Sequence, residues 1–368
     1  MGLKKSIAIV RQGGLGDHIV TTPLVRAIRI AEPSAKITMF SGHAYCSLWE
    51  ENPCVNRVIP VKAVFETSFE GQFSVDRFLE PIAGVSEKFD LIFNPTHCVD
   101  VYLNGLIVNK LKADIKIGFK QEMSEYEGYD ANIFYTQLIN RPKYENVSLY
   151  SELIFRELYP KEKFSPYDVE LFFCQEAHKN VTTYIASLPS PDIVGIHPAG
   201  SINYRTLSAL QLKEIVNQVQ RMGLIPIIIG ENSYQLEMPG VFFTGRIKIP
   251  ELFCLVSKMK AVICVDSSIK HIAGAFEVPI IELSHIPRHL LKLNGPYVDE
   301  SHPFCAINYW APKPGNLLHE VVFPVLGQSE ADIKSGLTLH SIGLGEISDT
   351  LSRFLKSKDK LQIGRYVC

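Results

Sequence analysis

Three short stretches combine glycines, hydroxyls and charge at turns that follow apolar runs. The first is Arg11-Gln12-Gly13-Gly14-Leu15-Gly16-Asp17. Gly13, Gly14 and Gly16 would let a substrate approach the backbone closely, and Asp17 is a carboxylate placed to act as a general base. The same aspartate also reads as an N-cap that closes a tight turn. The stretch is not the GxGxxG of a dinucleotide site, and the next strand ends Met39-Phe40-Ser41 without the acid that would bind a ribose. No Lys-Ser/Thr follows, so it is not a P-loop.

The second stretch is Asp266-Ser267-Ser268-Ile269-Lys270-His271. Asp266 ends the cleanest apolar run of the chain, where open α/β sheets bind ligands. Ser267 and Ser268 can cap the helix that follows, whose first amides suit a diphosphate. His271 lies within the first turns and reads either as a group that reaches the same ligand or as a satisfied core histidine. The third is His197-Pro198-Ala199-Gly200-Ser201 with Arg205. Gly200 and Ser201 offer backbone and hydroxyl donors, and Arg205 can grip a phosphate with two bonds. Between them Gly230-Glu231 ends a strand, and the Glu231 carboxylate could accept bonds from sugar or ribose hydroxyls. Glu282, His285 and His289 follow in the region of a further strand, with Pro287 between the histidines. A lysine group, Lys110, Lys112, Lys116 and Lys120, reads as a solvated surface or as an attraction for an anionic acceptor.

Elements with a recognisable pattern must hold these residues. Lys5–Val10, Ala35–Phe40, Val58–Pro60 and Phe89–Asn94 read as strands. So do Ile193–His197, Ile225–Ile229, Ala261–Val265 and Val278–Leu283. They are short and nearly continuous in apolar residues, as parallel strands buried on both faces are. Helical spacing recurs at Val20, Leu24, Ala27, Ile28 and Ala31, where Pro23 kinks the helix or marks a first turn. It recurs again over Leu207–Met222 and Ile249–Met259, and Asp266-Ser267-Ser268 opens another helix. Residues 120–170 are polar, rich in tyrosine and poorly periodic, Ser165–Glu176 reads as a linker, and 300–335 fit no pattern. Strands alternating with helices predict an α/β fold with parallel sheets. Two such series predict two Rossmann-like domains facing a cleft.

Composition excludes several classes. The 368 residues carry a net charge of -2, with 46% hydrophobic and 21% charged residues. That rules out disorder and fibres, and leaves no basic field for nucleic acid. No apolar run approaches the ~18 residues of a membrane span, and the run at Ile7–Val10 is too short for a signal peptide. The eight cysteines contain no CxxC pair, and no clustered ligands suggest a metal site. A reduced cytoplasmic protein is the expectation.

The three stretches, with Thr21-Thr22-Pro23-Leu24 and Ala27 after the first and Ala273 and Ala275 after the second, resemble the ADP-heptose:lipopolysaccharide heptosyltransferases, glycosyltransferase family nine. They stand in that family's order and cover about 1–45 and 190–285. The resemblance implies the GT-B architecture, with an acceptor-binding domain over 1–170, a nucleotide-sugar-binding domain over 171–345, and a helix and tail over 346–368. It implies an inverting transfer without a bound metal or other cofactor, with a nucleotide-sugar donor and a saccharide or glycolipid acceptor. Peripheral contact with the inner membrane would suit a lipopolysaccharide acceptor. By position, Asp17 would be the base and Arg205 would stabilise the leaving diphosphate. Ser267, Ser268 and the helix amides would bind phosphate, with Asp266 and His271 completing the pocket. The chain departs from the family pattern where Ala199-Gly200 reverses the usual order, where Leu207 stands for a tryptophan and where Ser268 stands for a glycine. It also reads Ser284-His285-Ile286-Pro287 for Gly-Pro-Thr, and Lys270 adds a cation expected to contact phosphate.

Overall fold

The computed structural model describes residues 4–62, 68–69, 72–96, 101–120, 130–140, 146–200, 205–231, 237–284, 311–312, 318–323 and 342–358. The chain folds as two compact units, Met1–Phe172 and Phe173–Cys368.

In the first unit the four apolar runs become β1 (Ser6–Arg11), β2 (Lys36–Gly42), β3 (Arg57–Val61) and β6 (Lys88–Phe93), and β7 (Lys112–Phe119) and β8 (Gln137–Ile139) join them. Between β3 and β6 lies a small antiparallel pair, β4 (Ser68–Phe69) and β5 (Gln72–Phe73). The main sheet runs β3-β2-β1-β6-β7-β8 and is parallel throughout. The second unit holds β9 (Ile193–His197), β10 (Ile225–Ile228), β11 (Phe242–Phe243), β12 (Ala261–Val265), β13 (Ile280–Leu283) and β14 (His319–Val322). They form a second parallel sheet in the order β11-β10-β9-β12-β13-β14.

Both sheets have the doubly wound Rossmann order, in which the chain builds outward from a central strand and then reverses to build the other side. The reversal leaves a crevice beyond the carboxyl ends of the two strands that flank it, here β1 with β6 and β9 with β12. All three chemistry-bearing stretches begin at such ends: Arg11 closes β1, His197 closes β9 and Asp266 follows β12.

Local sequence explains most boundaries. The glycine loop is followed by α1 (Leu15–Ile19) and α2 (Thr22–Ala31), two helices rather than one. Pro23 sits in the first turn of α2, where its missing N–H costs nothing. Leu24, Ala27 and Ile28 are buried as their spacing predicts.

The region expected to be irregular contains a helix, Val147–Leu158, which packs against α2. Its buried face has helical spacing, but Ser148 and Ser151 occupy two of its positions and dilute the apolar signal. Asn146 caps it by accepting from the Ser148 N–H at 2.9 Å. In the second unit, the helix Leu344–Lys358 adds Ile347, Leu351 and Phe354 to a core that includes Leu212, Ile215 and Val216 of the helix Ala209–Arg221. Strand β14 lies in the stretch that fitted no pattern.

Candidate active site

At the end of β1, Arg11 is buried and reaches across the switch point. Its Nη1 donates to Thr96 Oγ1 at 3.0 Å, just beyond β6, and its Nη2 donates to Asp17 Oδ1 at 2.5 Å. Asp17 Oδ2 accepts from the Gly14 N–H at 2.9 Å. Asp17 therefore sits inside α1 and reaches back over its first turn, so the turn-closing reading holds in a modified form. The carboxylate is still 21% exposed, and two such bonds leave lone pairs for a proton. Gly13 adopts φ +106°, and a Cβ there would lie 2.8 Å from Asp17 Oδ2. The Gly14 amide is occupied by Asp17, and Gly13 leaves room for the carboxylate.

Around Asp17 lies a polar group that sequence reasoning missed. His18 is fully buried and accepts at Nδ1 from Trp49 Nε1 at 3.0 Å, which leaves its proton on Nε2. Burial first, and then the charge of Arg11, hold His18 well below the usual histidine range, so the ring is neutral. The Tyr45 ring lies tilted against it, with centroids 4.9 Å apart, and burial followed by the nearby Asp17 charge raises the phenol. Nothing in the local sequence links residue 18 to residues 45 and 49. The pairing of β1 with β2 brings them together.

In the second unit, Arg205 Nη1 donates to Asp266 Oδ2 at 2.9 Å. Lys270, one helical turn after Asp266, donates to Asp266 Oδ1 at 2.6 Å and to Glu282 Oε1 at 2.8 Å. Glu282 Oε2 in turn meets His319 Nε2 at 2.8 Å. The result is a chain of alternating charge, Arg205, Asp266, Lys270 and Glu282, with the His319 ring at its end, running from the end of β12 across β13 to the start of β14. Burial alone would lower the Lys270 ammonium, but Asp266 and Glu282 overcome it and raise the pKa above the ordinary lysine value. Burial would likewise raise Glu282, and Lys270 followed by His319 reverses that, so the carboxyl stays ionised.

Three expectations are corrected here. The Lys270 ammonium, read as a cation facing phosphate, is only 1% exposed and lies between two carboxylates. The Gly200 amide, read as a ligand donor, bonds the Arg205 carbonyl at 3.1 Å; a Cβ at Gly200 would come within 2.7 Å of the Arg205 Cβ. Glu282 lies within β13 rather than after it.

The remaining predicted residues fall as follows. Ser267 occupies the N-cap position of the helix Ser268–Ala275, but its side chain makes no capping bond. His271 is buried in that helix and pushed down to about 3 by burial and then by Lys270, so it can meet a ligand only as a neutral ring. His197 is pushed down to about 4 by burial. Glu231 lies at the surface with Arg246 as its partner at 2.6 Å. Lys110, Lys112 and Lys120 are exposed, and burial lowers the half-buried Lys116. Ser201, His285, Pro287 and His289 lie outside the described residues. Among the described residues no group of three or more His, Cys, Asp or Glu is placed to hold a metal ion, and no helix is long and apolar enough to cross a membrane.

The pairing of Glu282 with Lys270 could have been suspected from sequence. An acid within the apolar run Ile280-Ile281-Glu282-Leu283, on a strand buried on both faces, requires a buried cation. Lys270 is the one lysine in an otherwise apolar helix segment, four residues from Asp266.

Comparison with solved structures places this architecture. A glycosyl transferase family 9 protein from Veillonella parvula DSM 2008 superposes with a TM-score of 0.70 at 18% identity, covering 97% of this chain and 99% of that one. The E. coli ADP-heptose lps heptosyltransferase II superposes at 0.67 with 13% identity, covering 96% and 99%. Two doubly wound α/β units in one chain give it the fold of the GT-B class. Residues 86–289, more than half of the chain, match Glycosyltransferase family 9 (heptosyltransferase), and the chain belongs to that family. It is 23% identical over 317 residues to Lipopolysaccharide heptosyltransferase 3 of Escherichia coli (strain K12), covering 80% of this chain and 86% of that protein.

Proposed function

We propose that this protein transfers heptose from ADP-heptose to a saccharide of a lipopolysaccharide core, with inversion at the anomeric carbon and with Asp17 as the general base. The observation that carries the reading is the chemistry at the two switch points. One presents a partly exposed carboxylate fixed by a buried arginine. The other presents Arg205 and the N-terminus of the helix Ser268–Ala275. The names of the relatives support the heptose donor and the lipopolysaccharide acceptor.

In this reading Asp17 takes the proton of the acceptor hydroxyl as its oxygen forms a bond to the anomeric carbon. The bond from that carbon to the diphosphate breaks, and its electron pair leaves on the diphosphate oxygen. Arg205 and the helix amides meet that developing charge, where preorganised donors act most strongly. Asp17 keeps its orientation because Arg11 and the Gly14 amide hold both oxygens.

The test is a donor screen of ADP-heptose, other ADP-sugars and UDP-sugars against lipopolysaccharide cores of graded length, read by nucleotide release. ADP-heptose is the expected donor, and turnover of a UDP-sugar with none of ADP-heptose would overturn the assignment. Asp17→Asn is expected to lower transfer by roughly 10²–10⁴-fold, the usual worth of a general base, with ADP affinity by titration calorimetry unchanged. Unaltered turnover in that variant removes Asp17 from the role.

A further inference from the structure

Lys270 and Glu282 form a buried ion pair, with Nζ to Oε1 at 2.8 Å. Lys270 is 1% exposed and Glu282 4%. Each stands among buried apolar residues: Ile269, Ile272 and Ala273 flank Lys270 and His271 in the helix, and β13 holds Ile280, Ile281 and Leu283 beside Glu282. A well-packed apolar pair in the same volume is often no less stable than a buried ion pair. The pair does, however, touch one end of the candidate donor site. Both oxygens of Asp266 are engaged, Oδ1 by Lys270 and Oδ2 by Arg205.

We propose that Lys270 is a positioning residue that fixes Asp266, and through it the Arg205 guanidinium, while Glu282 and His319 fix Lys270. The proposal rests on the reading of Arg205 as the diphosphate ligand. Asp266 has two oxygens and two cations. Lys270 holds Oδ1 and Arg205 donates to Oδ2, so the ammonium fixes the carboxylate whose other oxygen orients the guanidinium. A guanidinium has five donors, and the bond from Nη1 to Asp266 Oδ2 orients the group. Glu282 keeps the ammonium in place, and His319 holds the outer oxygen of Glu282 from the first residue of β14. Pairing of β14 with β13 thereby completes the support of a site two strands away in the sheet.

The experiment is a mutant cycle on ADP binding, measured by calorimetry with ADP and with AMP as probes. Lys270→Met/Glu282→Leu removes both charges at nearly constant volume, so no buried charge is stranded; a cooperative melt close to that of the parent verifies the fold. Lys270→Met/Glu282→Gln, which keeps an amide against His319, serves if leucine does not fit. The paired variant is expected to weaken ADP binding about tenfold, as loss of a charge-assisted contact does, with AMP affected less. Arg205→Ala is expected to weaken it by at least as much. The combined variant should bind no worse than Arg205→Ala alone, because Lys270 acts only through that arginine.

If the two losses multiply, Lys270 contacts the ligand directly and the proposal falls. If the paired variant binds ADP and AMP as the parent does while Arg205→Ala does not, the ion pair is purely structural and the proposal falls. If Arg205→Ala binds ADP like the parent, or the parent binds no ADP, the donor-site reading itself is wrong, and this proposal goes with it.

Discussion

At the scale of single residues, Asp17 and Gly13 form one device. The carboxylate occupies the space where a side chain at residue 13 would stand, so the glycine is required twice, by φ +106° and by the 2.8 Å approach. Gly13→Ala should therefore destabilise the protein by about 1–3 kcal/mol, the cost of a non-glycine residue held in a sparsely populated backbone region. It should also displace Asp17 and cut transfer by more than ~tenfold. Urea titration and nucleotide release measure the two effects, and an alanine variant equal to the parent in both would refute the account. The glycines were visible in the sequence as a substrate-approach loop. Their work on Asp17 was not, because it depends on a φ angle and on a buried Arg11 whose other partner, Thr96, is 85 residues away.

At the scale of elements, the helices are held mainly by burial and by their caps. Ser208 accepts from the Gln211 N–H while Gln211 reaches back to the Ser208 N–H at 3.2 Å, a capping box at the start of the helix Ala209–Arg221. Ser208→Ala should cost about 1 kcal/mol and lower the melting temperature by about 2–4 °C. A change below ~0.3 kcal/mol in denaturant titration would show that burial of Leu212, Ile215 and Val216 alone defines this helix. Strands β9, β10 and β12 in this unit were readable because their buried residues are nearly all apolar. The helix Val147–Leu158 was not, because its face includes serines that tertiary contacts satisfy: Ser151 Oγ donates to the Val20 carbonyl at 3.4 Å. Strand β14 was equally hidden, since His319 and Glu320 in a four-residue strand leave almost no apolar pattern.

At the scale of the molecule, both units bury neutral histidines. His18 lies in the first, and His197 and His271 lie in the second, the latter two pushed down to about 4 and about 3. Unfolded histidine titrates near 6.5, so between that value and the folded pKa the unfolded chain binds more protons than the native one. Stability is then fully present above about pH 6.5 and is lost as the pH falls toward 4. At pH 5 the loss should be about 2 kcal/mol for each of His197 and His271. Urea unfolding at pH 7.5 and pH 5 measures it. Equal stability at the two values would mean that these rings are not held neutral.

The order of apolar runs and turns was enough to establish the α/β class, the two series of strands, and the three loops at strand ends, because parallel strands buried on both faces and glycine-rich turns leave local signatures. The polar stretches at those turns carried the family resemblance for the same reason. What the folded chain added is the partnership of charges. Whether Lys270 faces phosphate or a carboxylate depends on β12, β13 and β14 lying side by side, and whether Asp17 is a bare acid or a clamped one depends on β1 lying beside β6. A sequence records which residues can ionise. Strand order sets which ionised groups meet, and the expense of leaving a charge unpaired away from water then decides how they are held.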